Sequence, residues 1–150
     1  MVQPVIATLS TGRVYFMNLD SNVGISSPNL TEDVQLVQFG FLAMSANASF
    51  PPADRAIYAA VVPGAGYNGS PTDPLTLAIK RHQASRGGTQ DGHVSVMTGN
   101  MVYGDATGKH TFQMVALMNN IRDFTAGLYP RIDRHARCPS VLAAKVRSFA

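Results

Sequence analysis

The chain has 150 residues, with Lys+Arg 12 against Asp+Glu 9, four His, one Cys and no Trp. That length suits one domain spanning 1–150, and 45% hydrophobic residues are enough to build a core. A single cysteine excludes an internal disulfide and a multi-cysteine zinc site, and the composition excludes collagen, coiled coil and disordered tail.

Charged residues make up only 14%, against about a quarter in ordinary soluble domains. A sparsely charged surface points to partial cover, most simply by a second copy of the chain. The net charge of +3 permits a polyanionic partner without demanding one. The opening MVQPVIATLSTG has no Lys or Arg ahead of its apolar residues, and no run approaches the ~18 apolar residues of a membrane span. The expectation is a chain made and kept in a cytosol. On that ground the sequons at Asn29, Asn47 and Asn68 read as turn residues.

In chain order, Val5–Leu9, the turn Thr11-Gly12 and Arg13–Asn18 read as a β-hairpin. Ser21–Thr31 reads as a loop or ragged edge strand. Val34–Ser45 is a long apolar run broken by Gly40 and reads as a bulged strand. Phe50–Asp54 reads as a turn, Ala56–Val62 as a strand and Pro63–Pro74 as loop. Leu75–His82 and His93–Tyr103 read as two more strands, joined by the polar connection Gln83–Gly92. The period then changes. From Thr107 to Ala126, Phe112, Val115, Met118 and Ile121 recur every third position, with Met114, Leu117 and Phe124 widening the apolar face. Asp105 or Thr107 suits the cap and Gly127 the stop. A second helix is expected from Pro139 to Phe149. Strands first and helices last predict an α+β fold: an antiparallel sheet with an N-terminal hairpin, and two C-terminal helices packed on one sheet face.

The motifs that carry chemistry are weak. Gly64-Ala65-Gly66-Tyr67-Asn68-Gly69 matches the dinucleotide pattern by letter, but Pro71 and Pro74 follow where a helix should begin, so a surface loop is expected. Asp91, His93 and Ser95 alternate along one predicted strand, which aligns them without making a nucleophile–base–orienter line. His82, His93 and Asp91 could meet across two strands, but no metal-ligand spacing accompanies them. Cys138, placed before Pro139 and out of reach of His135, reads as a structural thiol. No catalytic, cofactor or metal site is expected. On the predicted strand, Thr76, Ala78, Lys80 and His82 share one face with Ser95, while Leu75, Leu77 and Ile79 turn to the core. That face, flanked by Arg81 and Arg86, suits an RNA backbone; its ordinary reading is a solvated face. Between Arg131 and Arg147 lie five basic residues and one Asp, a second possible contact to nucleic acid.

The order of elements resembles a coat protein of the single-stranded RNA bacteriophages. The segments are VIATLSTGRVYFMNLD, VQLVQFGFLAMS, AIYAAVV, LTLAIKRHQ and HVSVMTGNMVYG, the last leading through DATGK into HTFQMVALMNNIRDFTAG. The longer loop at Gly64–Pro74 and the basic C-terminus depart from that pattern. The resemblance implies a structural capsid protein and no enzyme: interlocked homodimers, assembly into an icosahedral virion shell in a bacterial cytoplasm, and genomic RNA bound on the inner sheet face. It would place Thr76, Lys80, Arg81, His82, Arg86 and Ser95 at the RNA, and Phe112, Val115, Met118 and Ile121 at the dimer interface. The alternative is a small cytosolic α+β enzyme or ligand-binding domain using His82, His93 and Asp91.

Overall fold

A computed structural model describes residues 2–9, 12–98 and 112–149. The fold is α+β, with small antiparallel ladders and five α-helices among the described residues. Strands β1 (Gln3–Leu9) and β2 (Gly12–Asn18) form the expected hairpin, in a register that sets Val5 opposite Phe16 and Leu9 opposite Gly12. Along β2 burial deepens from the exposed Gly12 and Arg13, through the half-buried Val14 and Tyr15, to the fully buried Phe16 and Met17. A second ladder of two residues a side joins β3 (Val23–Gly24) to β4 (His93–Val94).

Between the ladders lie three helices that replace predicted strands. Helix α1 (Thr31–Ser45) occupies the apolar run read as a strand. It is buried nearly all round, from Asp33 to Gly40 without a break, so it carries no amphipathic period to betray it. Gly40 marks a close helix approach and not a bulge: a Cβ there would stand 2.7 Å from Leu117 Cδ2. Helix α2 (Pro52–Ala59) starts where a turn and then a strand were expected. Helix α3 (Pro74–Ser85) replaces the strand Leu75–His82. Both begin with proline in the first turn, where the missing N–H costs nothing and the fixed φ suits a helix. Asp73 caps α3 by accepting the Leu75 N–H at 2.8 Å. Pro74 therefore opens a helix that it was expected to forbid, although Gly64–Gly69 is loop as anticipated.

The C-terminal helices match expectation. Helix α4 (Gln113–Phe124) buries Met114, Val115, Leu117, Met118 and Ile121, and α5 (Ser140–Arg147) buries Leu142 and Val146. The cap at Asp105 or Thr107, the DATGK junction, the helix start at Thr107 and the strand beyond Thr98 lie outside the described residues. The two helices pack on α1, not on a broad sheet face. Two buried glutamines of α1 tie the layers together. Gln35 Oε1 accepts the Leu142 N–H at the start of α5 (2.8 Å), and Gln38 accepts from Gly64 N (2.9 Å) while donating to Ala65 O (2.9 Å). No described helix is long and apolar enough to cross a membrane.

The α4 face expected at a dimer interface is consumed inside one chain. Val115, Met118 and Ile121 are fully buried by α1 and the hairpin base, and Phe112 is half-buried.

Candidate functional site

The predicted RNA face rested on strand alternation, and a helix rearranges it. On α3 the inward residues are Leu75, Thr76, Ala78, Ile79, His82 and Gln83, the spacing of a 3.6-residue period; Leu77, expected in the core, is 49% exposed. Thr76 is fully buried, with its hydroxyl 2.6 Å from both the Tyr67 hydroxyl and Ser70 O. His82 is buried beneath Phe41, Phe50 and Tyr58, each ring centroid 5.3–6.3 Å from a neighbour in that cluster. Arg81 donates to the buried Asp54 carboxylate of α2 at 2.7 Å, so it bridges two helices. Lys80 is half-buried, its stem lying over Gly92. Thr76, Lys80, Arg81 and His82 therefore do not form one open surface with Ser95. Arg86 and Ser95 do come together, with Asp91 and His93, around a cleft.

That cleft is built by glutamines. Gln83, at the end of α3, donates through Nε2 to Asp91 Oδ1 and to His93 O, both at 2.9 Å, and its Oε1 accepts from Gly92 N at 3.1 Å. These bonds fasten the 91–93 turn to the helix. Gly24 makes the neighbouring ladder possible: its φ is +133°, and a Cβ there would lie 2.2 Å from Gly92 O. Gln113, the first residue of α4, reaches back with Nε2 to His82 Nδ1 at 2.8 Å. An amide nitrogen only donates, so in this contact His82 Nδ1 is the acceptor. Asp91 Oδ2 lies 3.5 Å from His93 Nε2. His82, His93 and Asp91 are thus linked through two glutamine amides without converging on one point. Among the described residues no three metal-ligating side chains cluster, and no hydrogen bond joins Ser95 to His93.

Two cavities flank this arm and share Arg86. One, of about 420 Å³, is lined by Gln83, Arg86, Thr89, Asp91, His93 and Ser95 with Phe112 and Gln113 at one end. The other, of about 610 Å³, opens between the α1–α2 turn and α4, lined by Asn47, Ser49, Phe50, Ser85, Asn119, Asn120 and Asp123. Its walls are fixed. Asn47 donates to Asn120 Oδ1 at 2.8 Å and takes the Ser49 N–H and hydroxyl at 3.0 and 2.7 Å, while Asn120 donates to Ala116 O at 2.8 Å. Asn119 Oδ1 is buried in the wall with no partner among the described residues. Two amides in mid-helix, where asparagine is a poor helix former, were the available signal for this cavity. The sequence alone does not join these residues, because Asn47 lies 72 residues before Asn119 and only helix packing brings them together.

Cys138 lies elsewhere. It is half-buried, and burial pushes its thiol up to about 12, while His135 is stacked against Phe39 and Phe124. The sequon residues behave as turn residues. Asn29, at φ +54°, exchanges two bonds with Gly24, and Asn47 and Asn68 each accept an N–H two residues on. No family model, no curated protein and no solved structure matches the chain.

Proposed function

We propose that the protein is a non-catalytic binding domain, and that the pair of cavities meeting at Arg86 takes an uncharged ligand rich in hydroxyl and amide groups. The observation that carries this reading is the lining: amides and hydroxyls from four separate segments, held in place by their own hydrogen bonds, with the Phe50 ring among them. Asparagine and serine both donate and accept, which suits ligand groups that do the same. Across the two cavities Arg86 stands against Asp91 and Asp123, a charge balance that does not favour an anionic ligand. The volumes fall in the range of small-ligand pockets, a few hundred to about 1,000 Å³. Asp91 and His93 pair with each other and with Gln83 instead of activating Ser95, which favours binding over catalysis.

The test is a thermal-shift panel of soluble oligosaccharides and short uncharged peptides. A true ligand at a hundred times its Kd adds on the order of 2.7 kcal/mol of stability. Asn119→Leu and Arg86→Leu should each remove the shift while leaving the fold intact. A shift that survives both substitutions would put the ligand elsewhere.

The β1–β2 hairpin favours a second reading, the shell subunit of a single-stranded RNA phage, since an N-terminal hairpin is the part of that resemblance the chain retains. In this reading the protein would assemble through dimers and enclose RNA. It needs particles of megadalton mass with nucleic-acid absorbance from expressing cells. A chain that elutes at 16.0 kDa or as a small oligomer under all assembly conditions would end it.

A further inference from the structure

The C-terminal corner of the molecule holds the chain's positive charge. Residues 131–149 contain Arg131, Arg134, Arg137, Lys145 and Arg147 against Asp133, four more positive than negative charges. The whole chain carries +3, so everything outside this corner is net negative by one. The corner is compact: a 3-10 turn (Ile132–Arg134) packs on α5, with Ile132, Leu142 and Val146 buried between them. Its one carboxylate is already engaged, because Arg131 grips Asp133 with two bonds of 2.8 Å. Arg147 is close enough to both Asp133 and Cys138 to affect their ionisation. Arg134, Arg137 and Arg147 are exposed, and no carboxylate of the described residues lies within 4 Å of them.

We propose that this corner binds the phosphate backbone of nucleic acid, through Arg134, Arg137 and Arg147, without reading bases. Arginine's planar fork matches phosphate oxygens in two-bond geometry, and it outnumbers lysine here four to one. The corner's aromatic groups are occupied: His135 is stacked inside against Phe39 and Phe124, and Lys145 lies over Phe149 at 5.5 Å. Among the described residues of the corner no ring stands out to stack on a base, so the contact is with phosphates, tolerant of sequence. A membrane surface fits less well, since Val141 is the one large apolar side chain that α5 exposes. The corner shares no residue with the cavities at Arg86 and stands whichever of the two functional readings holds.

The test is fluorescence anisotropy of a labelled mixed-sequence 20-mer duplex against the intact protein. Three neutralised phosphates give a log–log salt slope of about −2.7, which is roughly a fortyfold loss of affinity between 50 and 200 mM salt. The triple substitution Arg134→Gln, Arg137→Gln and Arg147→Gln should abolish binding and the slope, with circular dichroism unchanged. A parallel triple substitution to Lys should keep the slope but weaken binding. No binding by the wild type at low salt, an unchanged slope in the Gln variant, or binding to vesicles of anionic lipid with none to the duplex would each overturn the proposal.

Discussion

At the scale of single residues, Gln83 does more than any other side chain near the cleft. Three hydrogen bonds from one buried amide hold the 91–93 turn against α3. Each is worth about 1 kcal/mol net, and replacing the amide by an apolar group leaves the Gly92 N–H and His93 carbonyl without it. Gln83→Leu should therefore lower stability by about 2–3 kcal/mol, read as a fall in the urea midpoint with unchanged m-value. A midpoint equal to wild type would mean the turn is held by other contacts. Asp133 gives a pH dependence of definite sign. The Arg131 guanidinium beside it holds its carboxyl below the usual carboxylate range. Its folded pKa is thus below its unfolded one, so the contribution is present above about pH 4 and is lost as pH falls through the folded value. Asp133→Asn should flatten the acid limb of the stability profile. A steeper limb would reverse the sign.

At the scale of elements, α1 and α4 form the contact on which the rest is hung, and Gly40 sets their separation. Alanine is the better helix former by about 1 kcal/mol, but its Cβ would meet Leu117, a side chain with no room to move. Overpacking of about 1–3 kcal/mol should win, so Gly40→Ala is expected to destabilise. Pairing it with Leu117→Ala should cost less than the sum of the two, and strict additivity in that double-mutant cycle would deny the contact. The hairpin and the last two helices were legible in the sequence because each shows its own signal: a Gly turn between apolar strands, then a 3.6-residue period with a stop. Helix α1 hid because burial on every side erases the period. Helix α3 hid because Leu75, Leu77 and Ile79 satisfy strand alternation as well as Leu75, Ala78, Ile79 and His82 satisfy a helix. The prolines at 52 and 74 decide between the two, since at a first turn they open helices instead of ending them. Of the site, Asp91, His93 and Ser95 were visible as neighbours in sequence. The amide cavity was not, being assembled by tertiary packing alone.

At the scale of the whole molecule, one chain buries its own apolar faces. Leu36, Phe39, Phe41, Met114, Leu117 and Met118 share a continuous core. Met118→Asp would place an unpaired charge in that core, a cost of several kcal/mol against a total stability on the order of 5–15. The expected outcome is loss of the fold, seen as collapsed near-ultraviolet dichroism, and not release of a folded monomer from a dimer. A folded monomeric variant would restore the idea that α4 meets a partner. With the core closed, the polar cleft beside α3 and α4 becomes the natural place for a ligand. The most direct test is a ¹H–¹⁵N correlation spectrum of the labelled protein titrated with the strongest stabiliser from the ligand panel. The shifts should fall on the side-chain amides of Asn47, Asn119, Asn120 and Gln83 and on the backbone of residues 83–95. Saturable shifts confined to the hairpin or to the C-terminal corner, with those amides unmoved, would contradict a binding site at Arg86.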